Sequence, residues 1–163
     1  MSLVHRRHSV LKLPYEYDPD DAVRGFEGCH SFLSNFYRTR IRHAGKFFGS
    51  SEHVYMWCKS EDPAYRSTII NAKSPGLAKR LGKGAKLVPN WNSRVRYSAM
   101  LLALQLKFKD EYLKNRLLNT EHAYLEETNH WGDVHWGCCD GKGENHLGQL
   151  LMVVRYSLQF NSK

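Results

Sequence analysis

With 163 residues, 42% of them apolar and 12% aromatic, the chain has material for one folded domain with its own core, which excludes a disordered tail. No apolar run approaches the ~18 residues of a membrane span, and the first residues carry no signal-peptide core, so a cytoplasmic or nucleoplasmic protein is expected. Twenty-four Lys and Arg against sixteen Asp and Glu leave a net charge of +8 and a pI near 9.4, a balance that draws nucleic acid or phosphorylated substrates.

Residues 1–23 open with a basic cluster and no clean period, and read as an extension, partly ordered at best. From Gly25 to Phe48 the texture is aromatic and β-branched, and "RTRIRHAGKFF" predicts a hairpin turning at His43-Ala44-Gly45. The stretch "SSEHVYMWCK" (50–59) predicts a helix capped by Ser50 or Ser51, with Glu52 in its first turn. If that helix runs to Lys59, Glu52 and Lys59 share a face two turns apart, roughly 10 Å along the axis, with Tyr55 and Met56 between them. Ser74-Pro75 reads as N-cap and first residue of "SPGLAKRLGK", which ends at glycine. The longest helical signal runs from Ser93 to about Lys109 and is apolar nearly all round, as a core helix should be. Asp110 caps "EYLKNRLLN", residues 123–128 suit a short strand, and a Trp- and Gly-rich loop spans 131–143. Asn145 then caps a last helix in which Leu147, Leu150, Leu151, Val154 and Leu158 keep one face apolar. These elements predict an α+β, helix-dominated single domain with a small β element over residues 24–163.

Several stretches are candidates for chemistry. His130, His135, Cys138 and Cys139 are potential ligands, but their spacing matches no standard zinc pattern, so no metal is expected. With Cys29 and Cys58 they form no C-x-x-C pair, and a disulfide framework is not expected either. "LGKGAK" (81–86) lacks phosphate-loop spacing, whereas "DGKGENHLG" (140–148) runs into a helix N-terminus that favours an anion. Trp91, just before the long helix, either anchors it or stacks on a ligand ring. Asn35 lies among aromatics, where its amide satisfies backbone or reads a ligand's polar edge.

In order along residues 24–158, "FLSNFY", "GSSEHVYMWCK", "SPGLAKRLGK", "VPNWNSRVR", "LEETNHWGD" and "GKGENHLGQLLMVVR" resemble the NADAR, or YbiA-like, family of N-glycosidases. That resemblance implies an α-rich fold with a small β element, no cofactor and no metal. It also implies an enzyme that hydrolyses an N-ribosyl bond. Some members look like hydrolases of ribosylamino-pyrimidine intermediates of riboflavin biosynthesis, and others remove ADP-ribose from guanine in nucleic acid. The family's motif glutamate falls on Glu52, its lysine on Lys59, its W-G-[DI] element on Trp131, Gly132 and Asp133, and its G-x-N-x-L-G element on Gly143, Asn145, Leu147 and Gly148. "VHWGCC" between the last two elements is bulkier than the family pattern.

Placed on these motifs, Glu52, Lys59 and Asp133 are the expected catalytic residues. Glu52 would support the oxocarbenium character that develops as a C1′–N bond breaks, Asp133 would hold a water or ribose hydroxyl, and Lys59 would either attack C1′ as an amine or pair with phosphate. Asn35, Phe36, His53, Arg80, Trp91, Trp131, Gly132, Gly143, Asn145 and Gly148 are the expected substrate-binding set. Arg80, Lys79 and Lys83 suit phosphate, and Trp91 and Trp131 suit a purine ring. The expected partner is a small molecule containing ADP-ribose or ribosyl phosphate, or DNA or RNA carrying ADP-ribosylated guanine, with no membrane. The alternative classes are a hydrolase of riboflavin-pathway intermediates and a non-catalytic basic nucleic-acid-binding module.

Overall fold

A computed structural model describes residues 17–160; residues 1–16, most of the expected extension, lie outside it. The first described strand, β1 (Asp18–Arg24), falls within the expected extension and continues one residue past it. It pairs in parallel with β4 (Ala123–Glu126), with an irregularity between Asp18 and Ala22. Such a pair joins residues a hundred positions apart, which local sequence patterns do not signal. The hairpin β2 (Ile41–His43) and β3 (Lys46–Phe48) turns at Ala44-Gly45, both at positive φ, the geometry that matches strand twist. The β5 (Thr128–Asn129) and β6 (Cys138–Cys139) pair is parallel and two residues long.

Helix starts follow their caps. Ser50 accepts from the His53 N–H at the start of α1 (Ser51–Trp57), Ser74 from Leu77 N–H at α3 (Pro75–Leu81), and Asp110 from Leu113 N–H at α5 (Glu111–Leu118). Between the first two lies α2 (Pro63–Ile70), opened by Asp62 and Pro63 in the same cap-then-proline arrangement. The long helix begins as a wider π turn at Trp91–Val95, after Asn90 in the left-handed region, and continues as α4 (Arg96–Lys107). The last helix is α6 (His146–Phe160).

Helix α4 packs against α1 on one side and α6 on the other, and α6 also covers β4 and α5. Met100, Ala103 and Leu104 of α4 and Leu147, Leu151, Met152 and Val154 of α6 are all buried in this core. Each fully buried large apolar side chain contributes about 1.5–3 kcal/mol, so the α1–α4–α6 stack holds the molecule and fixes where α1 points. Two buried cations tie segments to it. Arg155 of α6 donates to Thr120 and Ala123 carbonyls ahead of β4. Lys107 of α4, 1% exposed, donates to the Ser34 carbonyl at 2.8 Å and so pins the backbone next to Asn35. Among the described residues no helix is long and apolar enough to cross a membrane.

Candidate active site

Helix α1 does not reach Lys59. It ends at Trp57, because the carbonyls that would continue it have tertiary partners: Tyr65 hydroxyl donates to Met56 O at 2.7 Å, and Val88 N–H to Lys59 O at 2.9 Å. Lys59 therefore sits in the turn after the helix. Its amine still faces the inward side of α1, where it donates to Gly82 O at 3.2 Å and lies 6.0 Å above the Trp91 ring. Gly82 allows this approach, since a Cβ there would lie 2.1 Å from the Met56 sulfur.

Glu52 is 5% exposed. Its N–H is taken by the Asn35 carbonyl, and its Oε2 accepts from the Asn35 side-chain amide at 3.3 Å. Burial pushes its carboxyl up to about 7; the Lys79 charge, the Asn35 hydrogen bond and Lys59 pull it down, and Asp133 pushes it up again. Lys59 answers from the other side: burial holds its amine below the usual lysine range, Glu52 raises it and Lys79 lowers it. Glu52, Lys59, Lys79, Asn35 and Asp133 thus act on one another, although they come from four separate stretches of sequence.

Asp133 arrives on the 131–143 loop. Its Oδ1 accepts from the His135 and Trp136 N–H groups, and Asn129 holds its backbone from both sides. Beside it stands Glu127, whose carboxyl burial and the Asp133 charge push up to about 7, with Lys79 and Lys107 opposing; its buried Oε2 has no hydrogen-bond partner among the described residues. Aromatic walls complete the site. Tyr55 of α1 packs on Trp91 (5.3 Å) and edge-on to Trp136 (5.5 Å), and Trp136 continues to Tyr97, His135 and His146. Arg96 donates to Tyr97 hydroxyl at 3.0 Å and keeps a buried, unpartnered Nε.

The structure sorts the remaining expected site residues. Phe36, 42% exposed, stands at the rim with the Lys79 amine 5.6 Å from its ring, and Trp131 is 68% exposed on the loop with Gly132 at positive φ beside it. Trp91 is 4% exposed and takes the anchoring role against Tyr55. His53 belongs elsewhere: one ring nitrogen meets Ser50 hydroxyl at 2.7 Å and the other Ala72 O at 3.0 Å, so both are spent on joining α1 to the connection between α2 and α3. Arg80 is exposed, and the α3 cation acting on Glu52 is its neighbour Lys79.

Asn145 does not cap α6 with its side chain. At φ 51° it reaches across instead, accepting from Glu127 N–H and donating to Tyr124 hydroxyl and Leu125 O. Gly148 lets α6 meet the same strand, since a Cβ there would lie 2.0 Å from Leu125 O, and a Cβ on Gly143 would lie 2.1 Å from Gly137 O. The 143–148 motif is therefore a clasp between α6, the loop and β4. It fixes the backbone at Glu127 through Asn145, and Glu144 N–H holds the carbonyl of Val134, the residue after Asp133.

One group of three donors could hold a metal ion among the described residues, and it is not the histidine and cysteine set of the sequence. Glu144 Oε2 accepts from His135 Nδ1 at 2.8 Å and His146 Nε2 at 3.0 Å, all within 4.8 Å. As it stands the group is a hydrogen-bonded clasp closing the loop onto α6.

The NADAR domain model matches residues 24–159. Among curated relatives, N-glycosidase YbiA of Escherichia coli is 39% identical over 130 residues, covering 77% of this chain and 80% of that protein. An N-glycosidase of Nostoc punctiforme is 33% identical over 139 residues, 81% of this chain and 86% of its own. A riboflavin biosynthesis protein of Vibrio vulnificus is 31% identical over 160 residues, 94% of this chain but 41% of its own length. The NMR structure of E. coli YbiA superposes with a TM-score of 0.79 at 34% identity, covering 90% of both chains.

Proposed function

We propose that this chain, which belongs to the NADAR domain family and is a hydrolase of that family's N-glycosidase kind, cleaves an N-ribosyl bond to an exocyclic amine, with ADP-ribosylated guanine in nucleic acid as its substrate. One observation carries the chemistry: a buried carboxyl that titrates at about 7 shares a site with a lysine amine held below its usual range. A proton donor and acceptor near neutrality and a nucleophilic amine are what opening and replacing an N-glycoside require.

The steps balance without an outside reagent except water. The glycosidic nitrogen's lone pair expels O4′ of the ribose, and Glu52 gives O4′ its proton, leaving a protonated iminium between C1′ and that nitrogen beside the Glu52 carboxylate. The neutral Lys59 amine adds to C1′, its surplus proton passes by way of the Glu52 carboxylate to the departing nitrogen, and the base leaves as a free amine. Water then adds to the Lys59 iminium, its proton returns to the Glu52 carboxylate, and the neutral amine leaves the freed aldehyde, which closes again with the ribose hydroxyl. Asp133 orients a ribose hydroxyl or the water. Lys79 and Arg96 would pair with phosphates attached to the ribose, and Trp136 and Trp131 would stack on the base, with the buried Tyr55 backing Trp136.

The net charge of +8 supports nucleic acid over a small metabolite. A second reading has its own support: the Vibrio vulnificus relative is named for riboflavin biosynthesis, and a ribosylamino-pyrimidine phosphate offers the same N-ribosyl bond. Incubating the protein with an oligonucleotide bearing ADP-ribosylated guanine and, separately, with a ribosylamino-pyrimidine phosphate decides between them. The first reading expects release of ADP-ribose from the oligonucleotide as the faster reaction; cleavage of the pyrimidine compound alone overturns it.

A further inference from the structure

We propose that the basic trough around Phe47, on the outer side of α1, is a binding track for single-stranded nucleic acid flanking the base held at Glu52. This rests on the nucleic-acid reading above. The hairpin alternation puts Ile41 and Phe48 into the core and leaves Phe47 outward, 47% exposed, with the Arg40 guanidinium 3.8 Å from its ring centroid. Phe47 is the shared wall of two clefts. One, of about 470 Å³, is lined by Arg38, Arg40 and Lys73. The other, of about 650 Å³, is lined by Lys46 and by Arg66, itself stacked on Trp57 at 3.9 Å. Among the described residues, five cations line the two clefts against one carboxylate, Glu61.

This combination suits a single strand in particular. Cations spaced along a trough take phosphates, and an exposed ring takes a base face, which a duplex keeps stacked away. Arginine stacked on the aromatic extends the platform. Arg38 is held in place by a bond from its Nη2 to Lys73 O at 3.0 Å, so its charge is fixed at the trough wall. The trough also leads to the site. Ser74 and Pro75 line the first cleft and open α3, whose Lys79 lies four residues beyond Pro75, roughly 6 Å along the helix. Exposed Phe36, beside Gly76 and Lys79, stands between the two.

The test measures binding apart from chemistry. Fluorescence anisotropy with an unmodified, end-labelled single-stranded DNA 12-mer, its RNA counterpart and a DNA duplex is run across 50–200 mM salt. Compared are the wild type, Phe47→Ala and the double variant Arg40→Ala, Lys73→Ala. Phe47→Ala is expected to weaken single-strand binding about tenfold, the scale of one lost base–aromatic stack, with the salt slope unchanged. The double variant is expected to lower the slope by about 1.4, two single-strand phosphate contacts. Duplex binds more weakly than single strand. Both variants should hydrolyse a free ADP-ribosylated guanosine or ribosylamino-pyrimidine phosphate at the wild-type rate, which also reports intact folding. The proposal is overturned if Phe47→Ala binds like the wild type, if the double variant leaves the slope unchanged, or if duplex binds best. Trough binding without cleavage of the modified oligonucleotide would instead count against the substrate reading and leave the track in place.

Discussion

Glu52 holds its proton at a pH where an ordinary glutamate has lost it, and burial is the cause, against the opposing pull of the Lys79 charge and the Asn35 hydrogen bond. That sets both its chemistry and its cost. Because the folded value lies near 7 and the unfolded one near 4.5, the native state binds more protons across that window, and stability falls as pH rises through it. Glu52→Gln removes the ionisable group and keeps an acceptor for Asn35. Its thermal unfolding at pH 8 should show a gain of about 1–3 kcal/mol over the wild type, vanishing below pH 4.5. The same variant should lose on the order of a hundredfold or more in hydrolysis; near wild-type turnover would remove Glu52 from the reaction. For the unaltered enzyme, the productive pair of Glu52 and Lys59 carries one proton between them. A pH profile of kcat/KM should therefore rise through about 7 and fall again at alkaline pH, below the usual lysine value. A profile flat from pH 5 to 8 would contradict this.

Among the elements, the loop and helix joined by residues 143–148 decide whether the site exists at all. Asn145→Ala strips partners from Glu127 N–H and Leu125 O, both against the α6 start, and from Tyr124 hydroxyl. It should cost about 3 kcal/mol, or roughly 10 °C in Tm, with KM nearly unchanged in the fraction that folds. A large rise in KM without loss of stability would make Asn145 a ligand after all. The sequence marks these residues but not their work: an Asn before a helix reads as a cap, whereas here the side chain bridges back to a strand. Local signals did carry Ser50, Ser74 and Asp110, since a cap acts within three residues, and the Ala44-Gly45 turn is local in the same way. The Asp62-Pro63 signal of α2 is equally present in the sequence. Strand β1 has no such local signature, because its partner β4 lies far along the chain. For the site, Glu52, Asn35, Lys59 and Asp133 are legible from motifs. Tyr55 shares the Glu52 face by spacing and Lys79 is marked as a phosphate cation, whereas Trp136, Arg96 and Glu127 owe their place to helices and a loop converging in space, which spacing along the chain does not show.

At the scale of the whole molecule, the charge of +8 separates the two substrate readings. With an oligonucleotide substrate, kcat/KM should fall about tenfold or more between 50 and 200 mM salt, while a small phosphorylated substrate should be far less sensitive. No step assigned to these residues uses a metal, so chelation with EDTA should leave the rate unchanged; a loss restored by zinc would point to His135, Glu144 and His146. The central claim, that α1 and the turn after it supply an acid–base carboxyl and an attacking amine, is tested most directly by borohydride reduction during turnover. A covalent protein–sugar adduct is expected whose mass maps to the peptide containing Lys59, absent in Lys59→Arg together with hydrolysis, because a guanidinium keeps the charge but cannot attack. Substantial turnover by Lys59→Arg with no adduct trapped in the wild type would contradict it and reduce Lys59 to a charge that holds phosphate.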